Sequence, residues 1–262
     1  MAVKRWDPTG ADGADVAVSG SLLASVIKSG AGTFKYEADA GFFRGGETGV
    51  ELYAGTADTD QANGIMNATA AAAAGSVQAY FKILTLPTAG SLTGVVPFLD
   101  IRSTTGNLIR AAVNESGVLT CQNSAGSGPG GVLNGTLATL SVGTVYRIEL
   151  DCLPATSTTG FGALRLYTAN LDRTVGGYDD PDTSIFSGSI SNGNFGTTQP
   201  SVVRFGESST TANGPTAFRI QMTQIAIDTG ASVPTITPVL QNSPPLTVTG
   251  NFPRVMKAGA WV

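Results

Sequence analysis

The sequence contains no histidine, and this removes several common catalytic and metal-binding arrangements at once. A Ser-His-Asp or Cys-His triad needs the imidazole as its base, and many metal sites need it as a ligand. Only two cysteines are present, too few to build a structural zinc site without histidine. The sequence therefore excludes triad hydrolysis and histidine-based metal sites.

Charged residues are also scarce, at 13% of the chain, and the net charge is −4. The 15 basic residues stand singly apart from Lys4 and Arg5. A nucleic-acid groove needs clustered lysine and arginine to neutralise phosphates, and an anionic membrane surface needs the same. We expect neither nucleic acid nor a membrane among the partners.

Long apolar runs are missing as well. No apolar core of the kind found in signal peptides follows the first charges, and no stretch of about 20 apolar residues could span a bilayer. The sequence predicts a protein that is made in a cytoplasm and is not exported by a Sec-type signal.

What the chain does contain is many short segments in which apolar and polar residues alternate. Hydrophobic residues make up 42% of the sequence, and 34 glycines punctuate it together with Thr-Gly, Asn-Gly and Ser-Gly pairs. A period of two indicates strands buried on one face, and such pairs favour turns. The predicted strands are residues 50–53, 76–84, 95–102, 107–113, 118–122, 145–152, 163–168, 201–207 and 217–228. No helical window of ordinary length separates them, so the pattern predicts an all-β, two-sheet antiparallel sandwich.

Composition divides the chain into three regions. Residues 1–32 have weak periodicity and are predicted to form an N-terminal arm, in which residues 21–28 are either helical turns or a strand. Residues 33–230 form the sandwich. Residues 231–262 are a proline-rich linker with a short C-terminal β segment, which we expect to pair with another surface because a lone hairpin is marginal in water.

The two cysteines, Cys121 and Cys152, each fall within a predicted strand. They could meet on neighbouring strands and pair. The alternative, favoured by synthesis in a reducing compartment, is two buried thiols that act as small hydrophobes.

Three segments carry a resemblance to a known family. The sandwich begins near Phe34, a Phe-Gly segment stands at 204–207, and the last long strand reads TAFRIQMTQIAIDTG. With the ending RVMKAGAWV, this arrangement resembles minor tail proteins of actinobacteria-infecting tailed phages with a concanavalin A-like jelly roll. The resemblance implies a jelly-roll sandwich with extended arms, a place in a virion, several copies, and glycan binding; it supplies no catalytic residue.

One carboxylate motif was weighed for glycoside hydrolysis, which uses two acids. Jelly-roll glucanases carry Glu, then Asp two residues on, then Glu after two more residues. Glu149 and Asp151 match the first pair, but Pro154 stands where the third acid is required. We therefore expect two solvent-facing acids on a strand and no catalytic residue.

The densest acidic cluster lies in a predicted connector. Asp179, Asp180 and Asp182 offer oxygen ligands of the kind that Ca²⁺ takes, although the spacing of an EF-hand is absent. Tyr178 beside them is the one tyrosine in a connector and the candidate for stacking on a sugar. The alternative is an exposed acidic turn. No other cofactor is predicted.

Together these observations predict a non-enzymatic virion component, a minor tail or tail-tip protein that contributes to assembly and host attachment. A capsid decoration protein, a glycan-binding receptor module and a glycanase are the alternatives. The predicted partners are other virion proteins, further copies of the chain in a closed homo-oligomer, and a host cell-surface glycan.

Overall fold

The structure is a computed structural model, and it describes residues 3–19, 21–38, 42, 48–57, 59–88, 95–123, 132–155, 159–170, 182–207, 217–233 and 236. These residues form fifteen strands in two sheets, every pairing is antiparallel, and no helix occurs among them. The prediction of an all-β, two-sheet antiparallel sandwich is confirmed. A search of the same residues finds no helix suited to crossing a membrane.

Sheet A has eight strands in the order β13-β12-β11-β6-β15-β4-β3, with β1 paired to β15. Its strands are β1 (Lys4–Trp6), β3 (Thr33–Glu37), β4 (Gly49–Tyr53), β6 (Ala74–Thr85), β11 (Val145–Leu153), β12 (Gly160–Thr168), β13 (Thr183–Gly193) and β15 (Arg219–Gly230). The longest strands, β6 and β15, lie side by side at its centre.

Sheet B has seven strands in the order β10-β9-β8-β7-β14-β5-β2. Its strands are β2 (Ser25–Ser29), β5 (Gln61–Asn67), β7 (Val95–Arg102), β8 (Asn107–Asn114), β9 (Val118–Asn123), β10 (Val132–Thr139) and β14 (Val202–Glu207). Consecutive strands alternate between the sheets at several points, as the long connections of a jelly roll require.

All nine predicted strands are present, and six more occur: β1, β2 and β3 near the N-terminus, and β5, β10 and β13 further along the chain. The sequences of β5, β10 and β13 are rich in Gly, Ser, Asn and Thr, so the apolar alternation is weak. Gly64 in β5 shows why a small residue serves there: a Cβ atom at this position would lie 2.4 Å from the ring of Phe205. The ring of Phe205 on the neighbouring strand β14 fills the space that a side chain at position 64 would take.

The segment predicted as an N-terminal arm contributes strands to both sheets. Arg5 of β1 pairs with Ala226, and β2 pairs with β5, which resolves residues 21–28 in favour of a strand. Trp6 is buried in the core against Phe205, with ring centroids 5.6 Å apart. The predicted C-terminal β segment lies outside the described residues.

The core between the sheets contains both cysteines. Cys121 of β9 and Cys152 of β11 are buried and free, which confirms the prediction of two unpaired thiols. Burial raises the pKa of Cys121 to about 12, and burial together with the nearby Cys121 raises the pKa of Cys152 as well. Both groups are therefore neutral thiols held in apolar surroundings.

Two glycines with the same backbone conformation test how tightly the sheets pack. Gly206 has a φ of 84° and a Cβ there would lie 2.5 Å from the carbonyl oxygen of Ala62, whereas Gly143 has a φ of 81° and open space around it. Gly143→Ala should cost only the left-handed backbone, about 1–2 kcal/mol. Gly206→Ala should cost about 2 kcal/mol more because backbone must move. Urea unfolding of both variants measures the difference; equal losses would contradict this account of the packing.

Candidate functional site

The outer face of sheet A is polar and yet buried at its centre. On β6, Val77 and Phe81 point into the core, whereas Gln78 and Tyr80 point to the other side and are both 0% exposed. The outer face of an antiparallel sheet commonly faces water. Here polar groups are instead withdrawn from solvent, and each requires a partner.

We call this surface the polar face of sheet A, and the strand register arranges it in rows. One row runs Thr223, Tyr80, Arg147, Tyr167, and the next runs Arg5, Ala226, Gln78, Glu149, Arg165. Beyond these rows lie Lys82 and Gln221 at one end and Ser76 and Asp151 at the other. Strands far apart in sequence thus place tyrosine, glutamine, arginine and carboxylate groups side by side.

Asp182 joins two neighbouring members of the first row. Its side chain accepts hydrogen bonds from the Tyr80 hydroxyl (2.8 Å), from Nε of Arg147 (2.6 Å) and from the backbone N–H of Asn170 (2.9 Å). Only 1% of this carboxylate is exposed. Because charged and neutral donors surround it, the buried carboxylate fixes the positions of Tyr80 and Arg147.

The same network continues along β11 and β12. Arg147 also pairs with Glu149 and lies over the ring of Tyr167, 3.8 Å from its centroid. Arg165 bridges Glu149 and Asp151, with distances of 2.6 Å to each. Ion pairs of alternating sign therefore run from Asp182 through Arg147, Glu149 and Arg165 to Asp151.

The network ends at Asp151 of β11, which contacts β6. It accepts a hydrogen bond of 2.6 Å from the hydroxyl of Ser76. Burial raises the pKa of Asp151, and the hydrogen bonds from Ser76 and Arg165 oppose that rise. The carboxyl is thus held in a dry environment by its partners.

Arg5 and Lys82 add positive charge on either side of Tyr80. Burial lowers the pKa of Arg5, while the nearby Asp7 and Tyr80 raise it, which places the guanidinium within electrostatic reach of the phenol. Lys82 follows Tyr80 on the same side of β6, and its ammonium lies 5.6 Å from the ring centroid of Phe42. Phe42 is buried and packs with Tyr80, so it covers part of the polar face.

Gln78 is the exception to the pairing on this face. Neither its amide nitrogen nor its amide oxygen has a hydrogen-bond partner among the described residues, although the side chain is fully buried. Oε1 of Gln221, in the row on the other side of Tyr80, likewise has no partner among the described residues. Leaving a buried polar group unpaired costs about 1–3 kcal/mol. Such groups beside Tyr80 mark a place where a polar ligand would find partners.

The structure describes one member of the predicted calcium cluster. Asp182 is buried against Tyr80 and Arg147, while Tyr178, Asp179 and Asp180 lie outside the described residues. No cluster of three or more acidic or cysteine side chains suited to a metal occurs in the described parts of the chain. The calcium and sugar-stacking sites at 178–182 stay predictions.

Glu149 and Asp151 differ from the expectation of two solvent-facing acids. Both are on the outer face of β11, but Asp151 is 3% exposed and both carboxylates form ion pairs with arginines. The sequence did not reveal the partners because Arg165 belongs to another strand and Asp182 lies beyond it.

Sequence reasoning missed Gln78, Tyr80 and Arg147 as site residues. The signal was present in the segment SVQAYFKIL, where the positions between the apolar residues hold Gln, Tyr and Lys rather than small hydroxyl residues. Tyr80 is buried, but on the outer side of the sheet.

No family model matches the chain, and no curated protein matches it. Solved structures do match. An endo-β-1,4-glucuronan lyase from Trichoderma reesei has 12% sequence identity and a TM-score of 0.51, covering 82% of this chain and 94% of that one. A protein of unknown function from Shewanella oneidensis MR-1 has 13% identity and a TM-score of 0.51, covering 89% of each chain. An alginate lyase from Aplysia kurodai has 9% identity and a TM-score of 0.47, covering 79% of this chain and 87% of that one.

These similarities contradict the prediction of a virion structural protein without enzymatic activity. The jelly roll had been assigned to a tail component, but the glucuronan lyase shares it over most of both chains. At 12% identity the similarity shows the fold alone. An assignment of activity must therefore depend on the residues of the site. The predicted partners and the placement in a virion are not tested by any of these matches.

The importance of Asp182 can be measured against an exposed carboxylate. Asp182→Asn should destabilise the protein by about 3 kcal/mol, because it leaves Arg147 buried with one carboxylate fewer. Asp15 forms a salt bridge of 3.0 Å with Lys28 and is 63% exposed, so Asp15→Asn should cost less than about 1 kcal/mol. Denaturant unfolding compares the two variants, and a loss for Asp182→Asn as small as that of the control would refute the role given to this carboxylate.

Proposed function

We propose that this protein binds an acidic polysaccharide on the polar face of sheet A and cleaves it by β-elimination at a uronate residue. The observation that carries the proposal is the fully buried pair Gln78 and Tyr80, with Arg5 and Lys82 on either side of the tyrosine. The fold shared with a glucuronan lyase supports the substrate class.

Substrate binding is assigned to the groups beside Tyr80. A uronate carries one carboxylate per sugar, and Arg5 and Lys82 offer positive charge to it. The amide of Gln78 has both a donor and an acceptor without partners among the described residues, and it would pair with the carboxylate or a sugar hydroxyl. A sugar ring that reaches these groups takes the place of the Phe42 ring.

Proton transfer is assigned to Tyr80. β-Elimination removes the proton from the carbon next to the carboxylate, breaks the bond between the neighbouring carbon and the glycosidic oxygen, and leaves a double bond between the two carbons. The leaving oxygen gains a proton, and no water is consumed. A tyrosine oxygen serves as the base for the first proton and as the acid for the second.

Asp182 and Arg5 help Tyr80 to transfer protons. The phenol already donates its hydrogen bond to Asp182, so that carboxylate can accept the phenolic proton and return it at the end of the cycle. The positive charge of Arg5 favours the ionised phenol and the charge that develops on the sugar carboxylate. The reaction requires no histidine, in keeping with the composition.

Activity is tested with glucuronan, alginate and a neutral β-glucan as substrates. We expect ultraviolet absorbance from the new carbon–carbon double bond with a polyuronate and none with the neutral glucan. Tyr80→Phe should lower the rate about 100-fold or more, the usual contribution of a positioned acid–base group. A wild-type protein that yields no unsaturated product from either polyuronate would overturn the proposal.

A matched variant separates chemistry from folding. Tyr146 is on the neighbouring strand but points into the core, where its hydroxyl accepts a hydrogen bond of 2.9 Å from the backbone N–H of Ser141. Tyr146→Phe removes one phenolic hydroxyl, as Tyr80→Phe does, and should keep full activity. If both variants lose activity equally, with equal losses of stability, the role assigned to Tyr80 is wrong.

A further inference from the structure

The outer face of sheet B carries a second group of polar side chains, on the opposite side of the sandwich from the polar face of sheet A. Arg204 of β14, Asp100 of β7 and Arg110 of β8 occupy one row across three neighbouring strands. Arg102 lies two residues further along β7 on the same side, beside Asn107 of β8. We call Arg102, Arg110 and Arg204 the arginine patch.

Asp100 is the carboxylate nearest to this patch in the strand register, and Arg204 alone of the three arginines forms hydrogen bonds to it. Asp100 is 2% exposed, and Oδ2 accepts hydrogen bonds from Nε of Arg204 at 2.9 Å and from a terminal nitrogen of the same guanidinium. Arg204 also donates to Oδ1 of Asn107 at 3.2 Å. Arg204 is thus held in place by two neighbours, and its charge is balanced.

Arg102 and Arg110 are not balanced in this way. Within the described residues neither forms a hydrogen bond or a salt bridge, and Nε of Arg110 is buried without an acceptor. Both side chains are only partly exposed. Burial and the charge of Arg204 lower the pKa of Arg102, and the charge of Asp100 opposes that shift. Folding has placed three cations around one anion, at a cost that an added anion would remove.

We propose that the arginine patch binds the carboxylate or sulfate group of an acidic polysaccharide, as a non-catalytic site on the face opposite the catalytic one. The polysaccharide class rests on the function proposed above; the anion site itself rests on the patch alone. Guanidinium groups bind oxyanions through paired N–H donors, and the donors of Arg102 and Arg110 have no partner among the described residues.

The surroundings of the patch favour a polysaccharide over a nucleic acid. Its outward-facing neighbours include Gln122, Ile65 and Val202, and none of these carries an aromatic ring on which a base could stack.

A site on sheet B would hold a polymer without cutting it. A long polyuronate can contact both faces of the sandwich, whereas a short oligosaccharide can occupy only one. The patch should therefore strengthen binding of the polymer and leave cleavage of short substrates unchanged.

Binding is measured by titration calorimetry on the full chain with polymeric alginate, at low and at high salt. The double variant Arg102→Gln/Arg110→Gln should bind the polymer about tenfold or more weakly and lose most of the salt dependence. Its thermal stability should stay close to that of the wild type, because neither side chain forms a hydrogen bond or a salt bridge among the described residues. The variant Lys28→Glu changes the net charge by the same amount at the edge strand β2, away from both faces, and should keep wild-type affinity.

The outcomes separate this site from the proposed catalysis. Unchanged polymer affinity in the arginine variant, or an equal loss in the lysine control, would overturn the patch whether or not the protein cleaves polyuronates. Equal affinity for single-stranded DNA and alginate would overturn the assignment to a polysaccharide. If the arginine variant binds the polymer more weakly as expected, but the wild type cleaves no polyuronate, the patch is retained and the proposed β-elimination is rejected.

Discussion

Strand β6 is buried on both of its sides, and much of the molecule follows from that constraint. Its inner residues are apolar and fill the core between the sheets. Its outer residues are polar and need partners away from water. Asp151 of β11 serves Ser76, and Asp182 beside β13 serves Tyr80, so the outer face of sheet A becomes an ordered set of polar groups rather than a wet surface.

Long-range partners hold this set together. Asp182 is 102 residues from Tyr80 and 35 from Arg147, and it reaches both because β13 begins beside β12 at the edge of the sheet. A network of this kind resists rearrangement, because moving one member leaves another buried and unpaired. Such rigidity is what a site for proton transfer needs.

The sequence predicted the strands where apolar residues alternate strongly and failed where packing takes the place of side chains. Residues 95–102 were placed with the correct ends, whereas β5 and β13, rich in small residues, were not seen. The site was harder still. Glu149 and Asp151 drew attention by their spacing, but their partner Arg165 is fixed by strand pairing, which alternation alone cannot give. Gln78 and Tyr80 were recognisable as outward-facing and not as buried.

The functional prediction went wrong for a related reason. Hydrolysis needs histidine or a complete set of paired acids, and the absence of both suggested no chemistry at all. Elimination at a uronate makes different demands: one group to carry a proton and positive charge near a carboxylate. Tyrosine can carry the proton and arginine can supply the positive charge. Both residue types are common in strands, so their presence does not by itself indicate a site.

The facing cysteines of the two sheets have a consequence of their own. Cys121 and Cys152 belong to opposite sheets and are protonated in the closed core. A thiol reacts through its ionised form, so neither can be alkylated or oxidised readily while the sheets stay together. The rate at which a thiol reagent labels them therefore measures how often the two sheets separate, and the measurement needs no introduced probe.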